Sequence, residues 1–169
     1  MKTPYLLIIA LLSTLSTSAT DLSRLGELDA YWSEVSRSVK AGDFAGYQAT
    51  CHPKGILVSG SSKKSYPLAQ ALARWKPGFD DTKAGKIKAS VEFRFSQRLG
   101  DATTAHETGI FLYEATKSDG TKSADYIHLE ALLTKTESGW KILMEYQKSK
   151  ATKAEWDELK QPATNAASQ

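Results

Sequence analysis

The stretch from Ile87 to Gln147 constrains this chain most. Its runs of alternating apolar and polar residues are broken at Gly100-Asp101, at Ser118-Asp119-Gly120-Thr121 and around Glu137-Ser138-Gly139. Period-two alternation is the pattern of strands with one buried face. Asp-Gly between two such runs is the strongest short-range hairpin signal, because both central positions of a type I′ turn need φ > 0. The stretch therefore reads as four consecutive antiparallel strands. With Asp119-Gly120 central, Tyr113 falls opposite Tyr126, Phe111 opposite His128 and Gly109 opposite Glu130. A tight turn at Gly100-Asp101 sets Arg94 opposite Glu107.

This register sorts the side chains into two faces. The core face is expected to hold Val91, Phe93, Phe95, Ile110, Leu112, Ile127, Leu129, Leu133, Trp140 and Ile142, with Gln97, Thr104, His106, Thr108 and Tyr146 as its polar members. The outer face mixes charge with Phe111, Tyr113, Tyr126, Leu132 and Leu143, more apolar than a solvated face requires, and reads as a partner surface. A three-residue loop at the last turn flips the final strand, and a bulge does so locally.

Upstream, Leu22, Leu25, Leu28, Trp32, Val35 and Val39 form one helical stripe, with Asp21 as N-cap candidate and Gly42 as stop. Asp43 opens a short second helix ended by His52-Pro53, Gly55 to Ser59 reads as a buried strand, and a third helix carrying Leu68, Ala71, Leu72 and Trp75 stops at Pro77-Gly78. Thr152-Lys153-Ala154-Glu155 is a capping-box pattern for a final helix with Trp156 and Leu159.

Residues 1–19 read as a secretory signal: Lys2, then an apolar run from Tyr5 to Leu12, then small residues at Thr17-Ser18-Ala19. Export, to periplasm or exterior, is the expectation, with no membrane insertion after cleavage. The divisions expected are a signal at 1–19, one domain at 20–149, a C-terminal helix at 150–160 and a disordered tail at 161–169. A single cysteine, Cys51, allows no internal disulfide. The net charge of +3, with dispersed lysines, gives no footprint for nucleic acid.

Helix, helix, short strand, helix and four long strands, with Trp32 followed by Gly42-Asp43-Phe44 and a last strand opening Gly139-Trp140-Lys141-Ile142, resemble the nuclear transport factor 2-like superfamily. The likeness is to its small polyketide cyclase-like and calcium/calmodulin-dependent kinase association-domain-like branch. It implies an α+β fold in which a cone-shaped, bent antiparallel sheet wraps around the N-terminal helices, with a pocket between sheet and helices and frequent dimerisation through the sheet. It implies no single activity, since members include isomerases, dehydratases, cyclases and binding modules. Several relatives end the last strand in a His-x-His pair, where this chain has Met144 and Tyr146.

On this reading His106 and Tyr146 are the candidate acid/base pair. Trp75, Tyr47, Phe95, Gln97, Thr104, Thr108 and Met144 are the candidate walls of a pocket for a small apolar or aromatic ligand. Phe111, Tyr113, Tyr126, His128 and Leu143 are the candidate homodimer or partner face. No carboxylate is expected centrally on the inner face. Glu107, His128 and Glu130 go outward as surface polar residues, and neither a cofactor nor a metal is expected: no short histidine spacing, Gly-rich phosphate loop or Gly-x-Ser-x-Gly elbow occurs. The expected function is noncatalytic binding of a small molecule or a protein partner. The alternatives are a cofactor-independent lyase or isomerase, and an assembly protein acting through the outer sheet face.

Overall fold

The computed structural model describes residues 10–159, with side chains over 21–159. The expected signal segment therefore lies partly, and the expected tail wholly, outside the described residues. The elements are α1 (Ala10–Ala41), α2 (Phe44–Ala49), β1 (Cys51–Ser59), β2 (Lys64–Pro67), α3 (Leu68–Lys83), β3 (Ile87–Gly100), β4 (Thr104–Lys117), β5 (Lys122–Thr136), β6 (Gly139–Lys150) and α4 (Lys153–Glu158). Among the described residues no helix is long and apolar enough to cross a membrane.

One six-stranded sheet runs in the order β2-β1-β6-β5-β4-β3. It is mixed rather than purely antiparallel, because β1 lies parallel to β6 while its other pairings are antiparallel. Helices α1 to α3 cover one face, here the inner one. Leu28, Tyr31, Trp32, Val35 and Val39 of α1 are buried in the main core with Leu129, Leu133, Trp140 and Ile142 of the sheet. Asp21 lies inside α1, not at its cap, and pairs with Arg24 at 3.3 Å. The helix ends where Asp43 N–H reaches the Ser38 carbonyl at 2.9 Å around Gly42 at φ +64°, a left-handed C-terminal cap. A Cβ on Gly42 would stand 2.4 Å from the backbone nitrogen of Lys83.

Asp43 caps α2 by accepting from Gly46 N at 2.9 Å. Helix α3 does not stop at Pro77-Gly78 but continues to Lys83. The reason is Phe79, buried against Phe44 and Tyr47 with ring centroids 5.6 and 5.0 Å away, which keeps the chain helical past the proline.

The register departs from expectation at two connections and at bulges in β3 and β6. The β4–β5 hairpin closes on Lys117 and Thr121 around three residues, with Gly120 at φ +85°, so Tyr113 pairs with Asp125 and Phe111 with Ile127. The β3–β4 connection is longer than a two-residue turn: Gly100 pairs with Ala105, and the Asp101 carboxylate accepts from Thr103 N at 2.7 Å and Thr104 N at 2.9 Å. Bulges between Phe95 and Gln97 and between Ile142 and Met144 each add one unpaired residue, reversing the facing beyond it. Odd-numbered residues of β4 therefore point inward. Phe111, Tyr113 and Glu107 belong to the inner face, while Ile110, Leu112, His106 and Thr108 belong to the outer one.

On the outer face α4 supplies the cover that Ile110 and Leu112 need. Trp156 is buried against both, the capping box from Thr152 and Glu155 is formed, and Arg94 donates to the Trp156 carbonyl at 2.9 Å.

Candidate functional site

A cavity of about 610 Å³ lies between the inner face and the helices. Its walls are Tyr31 and Trp32 of α1, Tyr47 of α2, Trp75 and Phe79 of α3, and Val91, Phe93, Phe111, Tyr113, Ile127 and Leu129 of the sheet. That volume is within the usual range for small-molecule pockets, and an aromatic lining is their usual composition. Arg74, Thr82 and Asp125 add polar groups to its wall.

One buried carboxyl group also lines this apolar space. The bulge in β6 turns Glu145 inward, 9 % exposed, where Gln147 Nε2 donates to its Oε1 at 2.6 Å. Burial raises the Glu145 pKa above that of an ordinary carboxylate, and Gln147 only partly offsets it. Around Glu145 stand Tyr31, Tyr47 and Cys51. Burial first, then the nearby Glu145, hold the Tyr47 hydroxyl well above its usual range; burial likewise raises Tyr31, whose hydroxyl donates to the Thr50 carbonyl at 3.3 Å. The Cys51 thiol is pushed up to about 12 by burial first and Glu145 second, so it is a neutral group and not an activated nucleophile.

A second inner-face carboxylate serves differently. Glu107 is 0 % exposed and receives Trp32 Nε1 on one oxygen and Arg98 Nε on the other. Arg98 also reaches Asp29 at 2.5 Å. This ion pair locks α1 onto β3 and β4, with Trp32 presenting its ring to the cavity and its N–H to Glu107.

The expected site residues divide accordingly. Tyr47 and Trp75 line the cavity, their rings 6.1 Å apart, and so do Phe111 and Tyr113, which the expected register had sent outward. Phe95 is on the inner face but packs on Trp32 at 5.4 Å, away from the cavity wall. Thr108 and Met144 face outward, Gln97 pairs with Thr108 and is exposed, and Thr104 is exposed at the start of β4.

His106 and Tyr146 also lie on the outer face. His106 Nε2 is 3.6 Å from Glu130, the residue paired with Tyr146, and Glu130 bonds Lys148 at 2.6 Å. The two do share a neighbourhood, but it is a surface ion-pair cluster rather than a pocket. Tyr126 and His128 are outward as expected and meet α4, Tyr126 at 5.9 Å from Trp156 and His128 at 3.3 Å from Glu155. Leu143 sits at the β6 bulge, half-buried. Among the described residues no group of three or more His, Cys, Asp or Glu is placed to hold a metal ion.

Glu145, Tyr31 and Gln147 escaped the sequence reading. The trace available was the alternation Ile142, Met144, Tyr146, which gives the wrong facing unless a bulge is placed at Leu143.

No protein-family model matches the sequence, and no curated protein matches it. Solved structures do. A nuclear transport factor 2-like protein with a cystatin-like fold from Novosphingobium aromaticivorans aligns at TM-score 0.63 and 12 % identity, over 82 % of this chain and 90 % of the other. A ketosteroid isomerase-like protein from Erwinia carotovora atroseptica aligns at 0.55 and 15 %, over 76 % and 96 %. ActVI-ORFA from Streptomyces coelicolor aligns at 0.56 and 17 %, over 72 % and 92 %. The chain has the nuclear transport factor 2-like, cystatin-like fold.

Proposed function

We propose that this protein, with its nuclear transport factor 2-like fold, binds a small, flat, mainly apolar molecule in the cavity between sheet and helices. The observation that carries the reading is the pairing of an aromatic-walled space of about 610 Å³ with one buried carboxyl group opening into it. Aromatic walls supply area and shape, and a single convergent polar group fixes orientation. Export rests on the composition of residues 1–19, and a homodimer would use the part of the outer face that α4 leaves uncovered. Native mass spectrometry of protein purified gently from its own host tests the binding reading. A discrete bound mass, retained by wild type and lost from Trp75→Ala, supports it; wild type without any bound mass contradicts tight binding.

A second reading, proton transfer on a bound substrate, is favoured by the raised pKa of Glu145 beside Tyr47. A carboxyl group shifted toward neutrality in an apolar cavity can act as general acid or base. The neighbour described as ketosteroid isomerase-like is consistent with such use of the fold. In this form of the reading the acid/base residue is Glu145 and not His106. Turnover that survives Glu145→Gln would rule it out.

A further inference from the structure

The two buried carboxyl groups of the inner face differ in one respect that bears on the ligand. Glu107 has a guanidinium against it, whereas Glu145, among the described residues, has no ion pair and accepts only from the neutral amide of Gln147. Among the described residues, the groups facing Glu145 from the elements packed on it carry no compensating charge, and Lys141 of its own strand donates to the Ala49 carbonyl. Tyr31 comes from α1, Tyr47 from α2 and Cys51 from β1, all with raised pKa values and therefore neutral. Farther along the wall, α3 contributes Arg74, which is exposed and sits 4.3 Å over the Tyr66 ring, and β5 contributes Asp125, 3.5 Å from Lys150. The rings of Trp32, Tyr47, Trp75, Phe93, Phe111 and Tyr113 surround the remaining space. An aromatic enclosure with a carboxylate at its base attracts organic cations, since ring faces carry negative potential and the missing countercharge is positive.

We infer that the ligand of this cavity carries a basic nitrogen, held as a cation between the Glu145 carboxylate and the aromatic walls. The inference rests on the pocket-binding reading and specifies its ligand class as a hydrophobic amine. When the ammonium form enters, the Glu145 carboxyl releases its proton to solvent and takes up the ion pair, so affinity increases as pH rises through the Glu145 pKa.

Calorimetric titration of the full chain with naphthylmethylamine and with its neutral counterpart naphthylmethanol tests this, at several pH values across the acidic and neutral range. The amine is expected to bind about tenfold tighter than the alcohol, the size expected for a desolvated cation on ring faces. The advantage should grow with pH, persist in Glu145→Asp and shrink severalfold in Glu145→Gln, where the ring faces alone remain. Equal binding of both probes, or an advantage unchanged by Glu145→Gln, would overturn the inference while leaving pocket binding intact. Binding of neither probe would count against the pocket-binding reading itself. Should Glu145→Gln not fold, the wild-type ratio and its pH dependence decide the matter.

Discussion

Glu107 and Glu145 occupy the same face of the same sheet, at 0 % and 9 % exposure, yet they do opposite things to the fold. Glu107 is enclosed by Arg98 and Trp32, so its charge is compensated by the protein and the pair joins the first helix to the sheet. Glu145 opens into a cavity with only an amide against it, and the protein tolerates it by disfavouring its charge. A buried carboxyl group with its cation supplied is structural, whereas one without it marks where a ligand belongs.

The largest effect should come from removing the compensated charge. Glu107→Gln takes from the Arg98 guanidinium the fully buried one of its two carboxylates, leaving only Asp29, and is expected to cost about 3–5 kcal/mol in urea unfolding. A loss below about 1 kcal/mol would show that the pair is not holding α1 in place. Next comes Trp156→Ala, which strips the cover from Ile110 and Leu112 on the outer face at a cost of about 3 kcal/mol. Because α4 lies across the sheet from the cavity, the variant should keep wild-type affinity for the naphthyl probes. An equal loss of binding would link the two faces.

Tyr31→Phe removes a single hydrogen bond to the Thr50 carbonyl and should cost about 1 kcal/mol. The smallest cost belongs to Glu145→Gln, and its sign depends on pH. The folded-state pKa of Glu145 lies above its ordinary value of 4.5, so the folded chain keeps a proton that the unfolded chain releases. The stability contributed in this way is complete below that ordinary value and is lost as pH rises through the raised one. Glu145→Gln should therefore match wild type in acid and gain on it toward alkaline pH. A growing deficit with pH would mean that an unrecognised cation pairs with Glu145.

Apart from β2, element order was legible in the sequence because it depends on period and punctuation. The Trp32 stripe from Leu28 to Val39, Asp43 as a helix cap and the Thr152 capping box each rest on local chemistry that holds in the structure, whereas Leu22 at the start of the stripe is exposed. Facing was not legible in β4 or in the second half of β6. Asp119-Gly120 suits a two-residue turn, and equally a three-residue loop with Gly120 left-handed, and the two differ by one residue of register. That single residue exchanges Phe111 and Tyr113 with Ile110 and Leu112. Both sets are apolar, so composition gave no correction, and α4 later satisfies the set left outside. The Leu143 bulge carries no sequence mark, and it decides that Glu145 faces in while Met144 and Tyr146 face out. His106 followed the same shift of register to the outer face. Strand β2 was missed because Lys64–Pro67 is short and ends in proline at a sheet edge.

Whether Glu145 is a cavity carboxyl group awaiting its cation can be read from carbon-detected NMR titration of that carboxyl group. The midpoint is expected above the ordinary 4.5 in the free protein, moving downward when naphthylmethylamine is bound. A free-protein midpoint at or below 4.5, unmoved by the amine, would contradict this expectation.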